Sequence, residues 1–156
     1  MQLAEWQPDY GPPTPHPTAG AIVTGARLPL IAFNMNLTTD DVAIARAIAA
    51  VIRERSGGLP GIKALGLPLE HERLAQVSTN VTDYTRTSLQ TLFDTVTAEA
   101  HRRGVDVLES ELIGLLPAAA LAGTSASRLK LTGFTPGRIL ENRITECQAH
   151  GAALRS

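Results

Sequence analysis

At 156 residues, 44% hydrophobic and 19% charged, the chain has the size and balance of one globular domain with a core of its own. A net charge of -1 supplies no electrostatic reason to expect nucleic acid or an anionic membrane as partner. The single cysteine, Cys147, rules out an internal disulfide and a multi-cysteine metal site, and suits a reducing compartment.

Residues 1–19 carry Pro8, Pro12, Pro13, Pro15 and Pro17. Proline fixes φ and lacks a donor, so this segment is expected to be extended and irregular, a linker-like lead-in to a domain over 20–156. Trp6 and Tyr10 within it are expected to pack on something. Glu5, Gln7 and Asp9 leave the start without the apolar stretch of a signal peptide. No apolar run approaches the roughly eighteen residues of a membrane span, and a cytoplasmic protein is the expectation.

A first strand is predicted over Leu28–Leu37, with Ile31, Phe33, Met35 and Leu37 on one face and Ala32, Asn34 and Asn36 on the other. Thr38 and Thr39 suit a helix N-cap, and Asp40 and Asp41 its first turn. Val42, Ile44, Ala45, Ile48, Ala49, Val51 and Ile52 then keep an apolar stripe at helical spacing up to Gly57-Gly58. Ile62–Glu70 reads as a second strand, an edge because of Gly66 and Pro68. A third strand, Leu74–Val81, puts Ala75, Val77, Thr79 and Val81 on one face and Gln76, Ser78 and Asn80 on the other. A second helix is predicted over Thr85–Arg103, capped by Asp83 or Thr85, with Leu89, Leu92, Phe93, Val96 and Ala100 inward. A fourth strand spans Val105–Leu115. After a Gly/Ser/Thr-rich connection, a last helix runs from Pro136 to His150, with Thr135 as its cap.

This order predicts an α+β domain of the ferredoxin-like βαββαβ type, two helices covering one face of an antiparallel sheet. Strands one and three are then central neighbours, so Asn34 and Asn36 lie beside Gln76, Ser78 and Asn80 on the helix-free face. That patch is uncharged. A solvated face is the plain explanation, since antiparallel sheets often meet water on one side. Asparagine is nevertheless disfavoured in strands, and amides both donate and accept at any pH. They suit a polar heterocycle, an amide-bearing ligand or another polar sheet. Arg27, just before the first strand, offers a planar fork for a carboxylate, or is simply a surface arginine.

Other chemistry is thinly represented. His16, His71, His101 and His150 form no ligand-spaced pair, and no metal site is expected. Cys147 lacks a CxxC partner. Glu109 and Glu111 alternate on the fourth strand as an acid/base pair would, or as an ordinary charged strand edge. Phosphate-binding and GxSxG motifs are missing from the sequence. No catalytic residue is assigned.

Thr24-Gly-Ala-Arg-x-x-Leu-Ile-Ala-Phe-Asn-x-Asn-Leu37 and Leu74-Ala-Gln-Val-Ser-Thr-Asn80 resemble the C-terminal subdomain of glutamate formimidoyltransferase, the transferase part of formimidoyltransferase-cyclodeaminase. Trp6-x-Pro-Asp-Tyr-Gly-Pro12 is similar to the segment joining the two transferase subdomains, and Glu109-Ser-Glu-Leu-Ile-Gly-Leu-Leu-Pro117 to a late strand. Phe134-Thr-Pro136 and Arg138-Ile-Leu-Glu-Asn142 are similar to the terminal helix. The resemblance implies formimidoyl transfer between formiminoglutamate and tetrahydrofolate in histidine breakdown, with tetrahydrofolate as co-substrate. It also implies a ligand tunnel between the sheets of two subdomains. Arg27, Asn34, Asn36, Gln76, Ser78 and Asn80 are then the candidate substrate- or folate-binding residues. The family's catalytic histidine belongs to the N-terminal subdomain, and no histidine here sits in an equivalent motif. The expectation is therefore the C-terminal half of a split or truncated transferase that needs an N-terminal-type half. The alternatives are a non-catalytic folate binder and a module that pairs with a second copy of itself.

Overall fold

The computed structural model describes residues 7–153, with side chains through residue 149. Trp6 lies outside the described residues. Tyr10 is 94% exposed, so it finds no packing partner within the described part of the chain. Residues 7–30 form neither helix nor strand beyond a bridge between His16 and Gly20, as the prolines require.

Strand β1 is Ile31–Leu37, starting three residues later than the pattern suggests because Leu28 and Pro29 lie outside the ladder. Helix α1 is Val42–Ile52, capped by Asp41, whose carboxylate accepts from the Ala43 N–H. Thr39 instead caps the turn before it, accepting from the Asp41 N–H. After a short 3-10 turn at Glu54–Ser56 and the left-handed Gly57, β2 covers Ile62–Leu69 and β3 Leu74–Val81. Helix α2 is Leu89–His101, capped by Ser88 rather than by Asp83 or Thr85. Asp83 binds the Thr85 N–H and hydroxyl within the preceding turn. Strand β4 is Val107–Ile113.

The sheet order is β2-β3-β1-β4, with every neighbouring pair antiparallel. This is the ferredoxin-like split βαβ arrangement. It follows from two βαβ crossovers, each leaving room for one strand between the pair it joins. The helices pack on one face. Ile31, Phe33, Met35 and Leu37 of β1 are fully buried there with Ile48 and Ile52 of α1 and Leu89, Leu92 and Val96 of α2. On that side Gly66 of β2 passes so close to α1 that an added Cβ would lie 2.2 Å from the Arg46 nitrogen. The glycine that weakens β2 as a strand is thus what allows it to seat against the helix.

The connection after β4 does more than its Gly/Ser/Thr-rich composition suggests. Leu129 is fully buried, and the Ser110 N–H and carbonyl bond to Lys130 and Thr132, adding a short parallel bridge outside β4. The terminal helix also differs from its expected bounds. Thr135-Pro136 opens a 3-10 turn at Pro136–Arg138, and α3 runs from Leu140 to Ala153. Residues 141–149 of α3 are all exposed. It is tied back through Leu116, which exchanges backbone bonds with Arg138 and Leu140, and through Glu141, which accepts from the Ala118 N–H.

Candidate functional site

The face away from the helices is a grid set by strand register. One row across the sheet is Lys63, Asn80, Ala32 and Ile113. In the next, Leu65 faces Ser78 and Asn34 faces Glu111. The third is Leu67, Gln76, Asn36 and Glu109. From β2 to β4 the face therefore grades from exposed leucines, through amides and hydroxyls, to two carboxylates. The central strands are uncharged as expected, but the face as a whole is not, because β4 lies beside β1 and turns Glu109 and Glu111 onto it.

The amides and carboxylates form one network. Asn34 Nδ2 donates to Glu111 at 3.2 Å and Asn36 Nδ2 to Glu109 at 3.1 Å. Gln76 Nε2 donates at 2.8 Å both to Asn36 Oδ1 and to Glu111 Oε1. Asn34, Asn36 and Gln76 are only 8%, 7% and 4% exposed, so each amide is held in place by partners rather than by water. Asn34 has a further role. Pairing of β1 with β3 lapses between Ala32–Asn80 and Met35–Val77. There Asn34 Oδ1 accepts from the Thr79 N–H, while the Thr79 hydroxyl donates to the Phe33 carbonyl. Side-chain groups take the place of ladder bonds at the centre of the sheet, which is a structural use for an asparagine that strand propensity disfavours.

The six candidate residues therefore fall into three groups. Asn34, Asn36 and Gln76 are joined in the network with Glu109 and Glu111. Ser78 and Asn80 share the face, yet their side chains have no hydrogen-bond partner among the described residues. Both line a cleft of about 510 Å3 at the β2 edge, with Arg53, Arg55, Lys63 and Leu65. Arg27 is exposed, its guanidinium on the Leu28 carbonyl, and no hydrogen bond links it to the other five. Of the residues that share the face, sequence reading leaves out Lys63 of β2, and it treats Glu109 and Glu111 apart from the amides. Alternation puts the two glutamates on one side of their strand; only the β1–β4 register decides that it is the amide side. A smaller cleft of about 270 Å3 on the far side of β4 is lined by Glu111, Thr132, Phe134 and Arg138.

Among the described residues no group of three or more His, Cys, Asp or Glu is placed to hold a metal. Likewise, no described helix is long and apolar enough to cross a membrane. Fold and face together define a ferredoxin-like domain whose uncovered sheet presents a preorganised polar network flanked by clefts. The chain belongs to the formiminotransferase family: residues 32–130 match the formiminotransferase domain. It is 46% identical over 141 residues to a glutamate formimidoyltransferase of Streptococcus pyogenes, covering 90% of this chain and 47% of that one. A glutamate formimidoyltransferase of Thermoplasma acidophilum is 41% identical over 140 residues, with 90% and 46% covered. The formimidoyltransferase-cyclodeaminase of Mus musculus is 42% identical over 132 residues, covering 81% of this chain and 24% of its own. The chain spans about half the length of the two glutamate formimidoyltransferases.

Proposed function

We propose that this chain supplies the C-terminal half of a formimidoyltransferase acting on formiminoglutamate and tetrahydrofolate, its open sheet face forming one wall of the substrate site. An N-terminal-type half, joined covalently or supplied in trans, provides the opposite wall and the general base. Residues 1–19 are the lead-in from that half, and 20–156 the domain proper. The observation that carries this reading is the uncovered face itself: a hydrogen-bonded network of buried amides and half-buried carboxylates on the sheet face away from α1 and α2. A wall of this kind orients a ligand and excludes water, and that contributes to rate only when the reacting groups are brought to it. Carboxylates held by amides suit the N–H groups of a reduced pterin or the cationic amidine of a formimino group.

Self-pairing is the other way to cover the face. A twofold axis across the strands sets the β4 carboxylates of two copies together, which repels, whereas one along the strands sets them against the β2 edge that carries Lys63, Leu65 and Leu67. Size exclusion at micromolar concentration separates the two readings: a monomer is expected of a transferase half, and a dimer favours self-pairing. The catalytic reading is tested by mixing this chain with the N-terminal half of a related transferase, formiminoglutamate and tetrahydrofolate. Transfer above that of the N-terminal half alone is expected, and none above it overturns the proposal.

A further inference from the structure

We propose that the cleft along the free edge of β2 is a carboxylate site, and that it takes a glutamyl group. Arg53, Arg55 and Lys63 bring three cations to the cleft against one carboxylate, Glu54. That carboxylate is engaged by Arg86 at 3.2 Å. Arg53 is steadied by its Nε bond to the Ser56 hydroxyl at 2.7 Å, which leaves its terminal nitrogens to point elsewhere. Arg55 and Lys63 have no ion-pair or hydrogen-bond partner among the described residues.

The polar side chains divide the same way. The three amides toward β4 are engaged with one another, with the glutamates and with the Thr79 N–H, whereas the Ser78 hydroxyl and the Asn80 amide, which line this cleft, are unengaged. Uncommitted cations, uncommitted neutral donors and acceptors, and the exposed flank of Leu65 thus occur together. A glutamyl group presents the matching set: two carboxylates for the cations, an amide for Ser78 and Asn80, and methylenes for the leucine. At the opposite edge, Glu109 and Glu111 repel carboxylates. The face is therefore polarised, and a ligand with an anionic end lies across it with that end at β2.

The choice of a glutamyl group rests on the proposed function, since formiminoglutamate and folate both carry one; the anion site itself does not. The test uses the full chain without any partner half, by mapping backbone amide NMR shifts on titration. The probes are N-acetylglutamate, 5-formyltetrahydrofolate and, as the uncharged control, the diamide of N-acetylglutamate. Saturable shifts at Lys63, Leu65, Ser78 and Asn80 are expected with a charged probe and not with the diamide. The double variant Arg55→Gln/Lys63→Gln should weaken binding about tenfold or more, as expected when charge-assisted contacts are lost. Both residues are exposed, and an otherwise unchanged spectrum verifies that the variant is folded. Shifts with both charged probes support a shared glutamyl site, and shifts with one alone support the site and identify its source. No saturable shift, shifts elsewhere, equal response to the diamide, or full binding by the double variant overturns the proposal. Binding retained alongside a failed transfer assay would instead sink the transferase reading and leave the site standing.

Discussion

Thr79 holds the place where the two central strands part. Its hydroxyl serves the Phe33 carbonyl and its N–H serves Asn34 Oδ1, and the residue is 1% exposed. Thr79→Val keeps the shape and removes the donor. Leaving that carbonyl unsatisfied is expected to cost about 1–3 kcal/mol in urea unfolding, with Thr79→Ser recovering most of the loss. A valine variant as stable as the parent would show that the strands close without the hydroxyl. Asp83 supplies the pH-dependent case. The Thr85 hydroxyl beside it, at 2.6 Å, holds its carboxyl below its ordinary value of 3.8, against the opposing pull of desolvation. A lowered folded-state value means stability that is present above the ordinary value and lost as pH falls through the folded one. Asp83→Asn should therefore be less stable than the parent at neutral pH, with the gap closing in acid. A gap of constant size from neutral to strongly acidic pH would contradict this. Asn34 and Asn36 stand out in the sequence because amides are unusual in strands. Their partners do not, since Glu109 and Glu111 look the same in sequence whether they face solvent or an amide.

Among the elements, β2 and α1 depend most visibly on one residue. Gly66→Ala would place a Cβ within 2.2 Å of the Arg46 nitrogen and 2.5 Å of the Ala45 carbonyl carbon. Both are backbone, so neither can swing aside. The strand must lift from the helix, at an expected cost of at least about 2 kcal/mol in chemical denaturation. A loss below about 0.5 kcal/mol, the size of an ordinary surface change, would show that the two elements separate freely. The periodicities of α1, β3 and α2 make those elements legible, and β2 is correctly read as an edge from its glycine and proline. What local pattern misses is where helices begin. Thr38, Thr39, Asp40 and Asp41 are all competent caps, as are Asp83, Thr85 and Ser88, and it is Asp41 and Ser88 that cap the two helices. The stretch after β4 was illegible for a related reason: Leu129 is a lone apolar residue among Ser, Thr and Gly, and lone residues carry no period.

For the whole molecule, the sheet with α1 and α2 is the folding unit, and α3 is an appendage with residues 141–149 exposed. Ending the chain after Glu141, which keeps the Leu140 and Glu141 ties, is expected to lower stability by less than about 0.5 kcal/mol, the scale of surface changes. A larger loss in thermal or urea unfolding would assign α3 a structural role within this domain. The amino-acid sequence by itself determined the order of elements, their inward faces and the ferredoxin-like arrangement, because strand and helix periods are written into neighbouring residues. It also determined the family, through two long motifs at β1 and β3. Only the tertiary structure decided what the open face is made of. Asn34 and Glu111 are 77 residues apart, and Lys63 meets Asn80 only through the β2–β3 register. Such pairings rest on which strands become neighbours and in what register, and no local period records that. Hence the amide face predicted at β1 and β3 is the middle of a wider surface, with carboxylates at one edge and cations at the other.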